Sequence, residues 1–127
     1  MKTMAFAAFA LVASAALADL DTLSLDGTWD IASRMPGFFA AAMPICGGVD
    51  ESTAELYRGL PLRFFHGSVD GAVPVAYSRR MDKALKDAGI DHLYVEYPNV
   101  NHDCWTRTYA NDDVLSWLFA QVRPCGL

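Results

Sequence analysis

Cysteine is scarce in this chain. Cys46, Cys104 and Cys125 are all it has, they form no CxxC pair, and they match no zinc-ligand spacing, so neither a disulfide-rich framework nor a structural zinc module accounts for the fold. Basic residues are also few: 10 Lys and Arg stand against 15 Asp and Glu, a formal net charge of -5. Nucleic acid and anionic lipid are poor partners for such a surface. No apolar run reaches the ~20 residues that span a bilayer. There is no internal repeat and no low-complexity linker, and a hydrophobic content of 53% excludes disorder.

What is present begins with a stretch that reads as an export signal. "MKTMAFAAFALVASAALA" carries Lys2, then an apolar run, then Ala16-Leu17-Ala18, which fits the small-residue rule for leader cleavage. The expected mature protein is a single secreted domain over 19–127, with no membrane segment. Removal of 1–18 takes away only Lys2 among the charges, so the mature chain is more acidic still. An odd cysteine count in an exported chain leaves one free thiol or an intermolecular bridge.

The rest alternates between two hydrophobic periods. "GTWDIASRMPGFF" has helix spacing at Trp29, Ile31 and Ala32 and is stopped near Pro36-Gly37. "AAAMPICGG" reads as a buried strand despite Pro44, "ESTAELYRGL" as a short helix, and "PLRFFHG" as the clearest strand. "PVAYSRRMDKALKDAG" places Pro74 at the first helical position, gathers Tyr77, Met81, Ala84, Leu85 and Ala88 on one face, and pairs Asp82 with Lys86 on the other. In "HLYVEYP" Leu93, Val95 and Tyr97 alternate with Tyr94 and Glu96, while His92 at its start is expected to be exposed. Asn111 caps a last helix with Asp112 and Asp113 in its first turn, a stripe of Val114, Leu115, Leu118 and Val122, and Arg123 at its end. Trp105, Tyr109 and Trp117 are expected to pack beneath it.

Strands separated by helices imply right-handed crossovers and a parallel sheet with helices on both faces, an α/β architecture whose chemistry belongs at the carboxyl ends of the strands. "HGSVDGAVP" and "YPNVNHDCW" each follow an apolar strand. Asp70 and His102 are therefore expected on neighbouring loops of one rim, where a carboxylate bonded to one imidazole nitrogen fixes the tautomer and leaves the other nitrogen to take a proton. Cys46 and Cys104 fall near the same strand ends and could bridge after export, or stay unpaired, since sequence alone sets no distance between them. His66, Asp70, His102 and Asp103 match no metal signature, so neither a metal nor another cofactor is expected.

From "GTWDIASRMPGFFAAAMPICGGVD" through "LRFFHGSVDGAVPVAYSRRMDKALKDAGI" to "HLYVEYPNVNHDCWTRTY", the chain resembles the carboxyl-terminal half of an α/β-hydrolase, as found in secreted esterases and in prolyl-oligopeptidase-like or phospholipase/carboxylesterase-like enzymes. The resemblance covers nearly all of 27–120. It implies a partial three-layer α/β-hydrolase-like domain and hydrolysis of a carboxylic-ester or peptide-like acyl bond. Asp70 is implied as the triad acid, His102 as the general base, Ser24 as the nucleophile, and the N–H of Leu25 as an oxyanion contact.

One motif departs from the family pattern. Such hydrolases carry G-x-S-x-G in a strand-to-helix turn, whereas "DTLSLDGTWD" has Thr22 and Asp26 where the glycines belong. A side chain at those positions obstructs the positive φ and the close backbone approach of the turn. Ser24 thus has two readings, a nucleophile or a polar residue capping the next helix. At the level of the whole chain the same departure leaves a serine hydrolase beside a truncated, non-catalytic remnant that binds a partner or self-associates through an exposed sheet edge.

Overall fold

The computed structural model describes residues 10–14 and 27–123. The elements run β1 (Ala10–Ser14), α1 (Gly27–Arg34), β2 (Ala41–Ile45), a 3₁₀ segment (Glu51–Tyr57), β3 (Arg63–Gly67), α2 (Ala76–Asp87), β4 (Leu93–Tyr97), α3 (Trp105–Tyr109) and α4 (Asp112–Ala120). The strands form one parallel sheet in the order β1-β2-β3-β4. Every crossover between them contains a helix or 3₁₀ segment, as parallel pairing requires.

Strand alternation sorts the core into two layers. On one face Ala42, Leu62 and Phe64 pack with Trp29 and Ala32 of α1, Tyr57 of the 3₁₀ segment, and Met81 and Leu85 of α2. On the other Ala41, Met43, Ile45 and Phe65 pack with Val114 and Leu118 of α4. Helices therefore cover both faces of a short parallel sheet. Trp29 anchors the first layer, edge-on to Tyr57 at 4.9 Å and to Phe64 at 5.1 Å between ring centres.

Several expectations shift in detail. The segment at Glu51 is a 3₁₀ helix, begun by the Asp50 carboxylate accepting from the Ser52 amide at 2.9 Å. Helix α2 starts at Ala76, after Pro74. Tyr77 is half-buried and lies under the Arg80 guanidinium, and Ser78 takes its place on the buried face. Asn111 does cap α4, accepting from the Asp113 and Val114 amides, but the helix ends at Ala120, so Val122 is 76% exposed. Tyr109 is left 39% exposed. The His92 side chain is only 4% exposed, bonded to Asp82 Oδ1 at 2.8 Å and stacked on Phe64. Residues 10–14, within the segment read as an export leader, pair with β2 from Ala10 opposite Ala41 to Ser14 opposite Ile45.

Candidate active site

The site grows from the register of two strands. Gly67 pairs with Tyr97 at the carboxyl ends of β3 and β4, so the loops carrying Asp70 and His102 leave the sheet side by side. Backbone bonds lace them together: the Ser68 amide donates to the Tyr97 carbonyl at 2.9 Å and the Val69 amide to the Val100 carbonyl at 3.1 Å. The Asn101 carboxamide oxygen accepts from the amides of Gly71 and His102 at 2.9 and 2.8 Å. Gly67 allows this approach, since a Cβ there would overlap the carbonyls of Val100 and Asn101.

Asp70 and His102 meet as expected. His102 Nδ1 lies 2.8 Å from Asp70 Oδ2. An ionised carboxylate has no hydrogen to give, so Nδ1 carries the hydrogen and Nε2 is the basic position. The other carboxylate oxygen, Oδ1, accepts from the amides of Ala72 and Val73, both at 2.8 Å. Burial pushes the Asp70 carboxyl up, but the bonds from His102, Val73 and Ala72 together outweigh it and hold its pKa below the ordinary 3.8. The His102 ring, edge-on to Trp105 at 5.4 Å between centres, is 24% exposed, whereas the Asp70 side chain is fully buried. The acid is sheltered and the base reaches the surface.

Two supports were not foreseen as such. His66, on β3, is fully buried. Its Nε2 lies 2.9 Å from the Val73 carbonyl and 3.2 Å from Asp70 Oδ2, and its Nδ1 lies 2.7 Å from Ser78 Oγ. The carbonyl can only accept, so Nε2 holds the hydrogen and Nδ1 accepts from the serine hydroxyl. Burial pushes the His66 pKa down, against the pull of the Val73 carbonyl and the Asp70 charge. The histidine of "HGSVD" is the signal that could have pointed to this role. The second support is covalent: Cys46, at the end of β2, is disulfide-bonded to Cys104, two residues beyond His102, with a Cα–Cα distance of 6.6 Å. The possible bridge is thus made, in place of an arrangement without a Cys46–Cys104 link.

Ser24 and Leu25 lie outside the described residues. As for metal ligands, the cluster is not the one weighed from the sequence: Cys46 Sγ, an Asp70 oxygen and a His102 ring nitrogen lie within 4.8 Å of one another. A cleft of about 470 Å³ opens at the other rim, lined by Leu62, Arg63, Leu93 and Trp117 among others, at the amino ends of β3 and β4. It is remote from the Asp70–His102 pair by the length of the strands.

No protein-family model matches the chain. The chain is 40% identical over 68 residues to the esterase LipQ of Mycobacterium tuberculosis (strain ATCC 25618 / H37Rv), a match covering 53% of this chain and 14% of that protein. The crystal structure of a thermostable esterase superposes with a TM-score of 0.72 at 39% identity, covering 76% of this chain and 28% of that one. The chain carries a partial α/β-hydrolase-like fold, matching the corresponding part of that esterase structure. In both comparisons the chain spans less than a third of its relative's length. Among the described residues no helix is long and apolar enough to cross a membrane.

Proposed function

We propose that the protein hydrolyses carboxylic esters by acyl transfer, and that the 2.8 Å bond between His102 Nδ1 and buried Asp70 carries this reading. In the proposed mechanism Ser24 Oγ attacks the ester carbonyl while His102 Nε2 takes its proton. His102 then returns that proton to the leaving alkoxide, and the acyl-serine is released by water activated in the same way. Asp70 holds the imidazole tautomer and balances the imidazolium as it forms. The N–H of Leu25 is the proposed oxyanion donor, a contact typically worth ~10²- to 10³-fold in rate. No cofactor takes part, and a small ester fits better than a peptide because both compared relatives are named esterases.

Export is part of the same proposal. The leader pattern of Lys2, the apolar run and Ala16-Leu17-Ala18 supports it, and so does a disulfide, which persists in oxidising compartments. Cleavage after Ala18 would take away β1 and leave β2 as a sheet edge, the surface through which self-association is proposed. Amino-terminal sequencing of the protein recovered from culture medium checks this, with Asp19 as the expected first residue.

A fluorophosphonate probe tests the chemistry. Labelling of folded protein that maps to Ser24 and vanishes in Ser24→Ala supports the enzyme. Folded protein that takes no label would turn the reading to the non-catalytic, partner-binding alternative.

A further inference from the structure

Three side chains with metal-binding chemistry converge where β2, β3 and β4 end. Cys46 Sγ, a carboxylate oxygen of Asp70 and a ring nitrogen of His102 lie within 4.8 Å of one another. Cys104 Sγ is bonded to Cys46 Sγ and lies outside that group. In the described state both sulfurs are engaged with each other. The geometry points to a zinc site that reduction of the Cys46–Cys104 disulfide unmasks, with the Cys46 thiolate, His102 and Asp70 as ligands.

The donor set argues for zinc. A thiolate, an imidazole and a carboxylate, with solvent in the fourth position, suit a borderline-soft cation, whereas calcium and magnesium favour oxygen alone. Zinc–sulfur bonds of ~2.3 Å and zinc–nitrogen or zinc–oxygen bonds of ~2.0–2.2 Å place tetrahedral ligand atoms roughly 3.3–3.8 Å apart. The present spacing therefore needs to contract by only about an ångström. The frame is already set by the sheet: the Cys46 amide donates to the Phe65 carbonyl at 2.8 Å, and the Asp70 turn is fixed by the Ala72 and Val73 amides. Cys46 and Cys104 are fully buried and His102 is partly exposed, so the imidazole marks the route by which an ion enters.

The steps balance. A dithiol reductant supplies two electrons and two protons, becoming a cyclic disulfide, and the Cys46–Cys104 bond becomes two thiols. Zinc then replaces the Cys46 thiol proton, which is released to solvent, and Cys104 remains a thiol. Without the ion, the reduced site would set a buried carboxylate beside two thiols whose deprotonation nothing compensates.

The test uses the full chain carrying Cys125→Ser, so that only the paired cysteines remain, reduced with a water-soluble phosphine and desalted without oxygen. Zinc is titrated against a chromophoric chelator, and cobalt(II) replaces it for spectroscopy. The reduced protein is expected to bind one zinc at least 10-fold more tightly than the oxidised protein and to show a sulfur-to-cobalt charge-transfer band. Cys46→Ser should abolish that band, and His102→Gln should weaken zinc binding about 10- to 100-fold. Equal affinity in the two redox states, or a band that survives Cys46→Ser, overturns the proposal. Circular dichroism verifies folding of each variant. Should Cys46→Ser not fold, His102→Gln decides instead, since its side chain is partly in solvent, and unchanged affinity there overturns the site.

Discussion

His66 Nε2 lies 3.2 Å from Asp70 Oδ2, the same oxygen that accepts from His102. One carboxylate therefore faces two imidazoles, one fully buried and one partly in solvent. Because His66 donates to the Val73 carbonyl as well, it ties the start of the Asp70 loop to its end. This histidine acts on the acid and its turn, and through them on His102.

The buried, neutral His66 makes stability depend on pH. Its folded pKa is pushed below the ordinary 6.5, first by burial, so as pH falls through 6.5 the unfolded chain takes up a proton that the folded chain refuses. Stability should thus be full above that value and decline on acidification toward the folded pKa. Asp70, held below 3.8, adds a separate loss that begins only below that value, as the unfolded carboxyl protonates before the folded one. Urea denaturation from pH 4.5 to 7.5 checks the histidine window, and His66→Gln should flatten it. A wild-type midpoint that does not fall with pH in that range would refute the account.

Much of this was legible because regular elements repeat their causes. β3 and β4 alternate, α2 gathers Met81, Ala84, Leu85 and Ala88 on one face and pairs Asp82 with Lys86, and parallel strands then bring Asp70 to His102 without further information. Features set by distance between segments were not legible. Whether Cys46 reaches Cys104, and whether His92 folds back onto Asp82 and Phe64, depend on how loops seat over the sheet. Val122 continues the α4 stripe in sequence, but the helix stops two residues before it. Residues 10–14 carry the small apolar letters of both a leader and a buried strand, so composition cannot separate the two.

Gly67→Ala should be strongly destabilising. The added methyl would overlap the backbone carbonyls of Val100 and Asn101, and backbone cannot swing aside as a flexible side chain does. A penalty of about 3 kcal/mol, the upper end for overpacking, is expected. Because those carbonyls belong to the loop carrying His102, the strain should also weaken the His102–Asp70 bond. Denaturant midpoints measure the first effect and the imidazole NMR signals the second. A variant as stable as wild type would mean the two loops do not approach this closely.

The Cys46–Cys104 bridge joins residues 58 apart in sequence. Closing a loop of that length in the unfolded chain corresponds to about 4 kcal/mol in the chain-entropy account, with ~2–4 kcal/mol typical of measured bridges. The double variant Cys46→Ala/Cys104→Ala should lose that much, read by urea unfolding, whereas reducing agent should leave it unchanged while lowering the midpoint of the wild type. Both sulfurs are buried, so reduction of the folded protein should be slow. Identical midpoints for wild type with and without reductant would show that the bridge contributes nothing.

Asp70→Asn separates orientation from folding. The asparagine carbonyl can still accept from the Ala72 and Val73 amides, so the turn survives and the free energy of unfolding should fall by less than about 1.5 kcal/mol, the net worth of one hydrogen bond. Its amide nitrogen, however, then meets His102 Nδ1 and donates to it. The imidazole is forced into the tautomer whose Nε2 already bears a hydrogen, and that nitrogen cannot take a proton from a nucleophile. If His102 is the general base, kcat toward a short-chain p-nitrophenyl ester should fall roughly 10⁴-fold, as it does when a triad acid is replaced by its amide, with KM little changed. His102→Ala should lower kcat comparably, and adding it to Asp70→Asn should lower it little further, because the two residues act as a unit. Wild-type turnover in folded Asp70→Asn would remove the carboxylate from the mechanism.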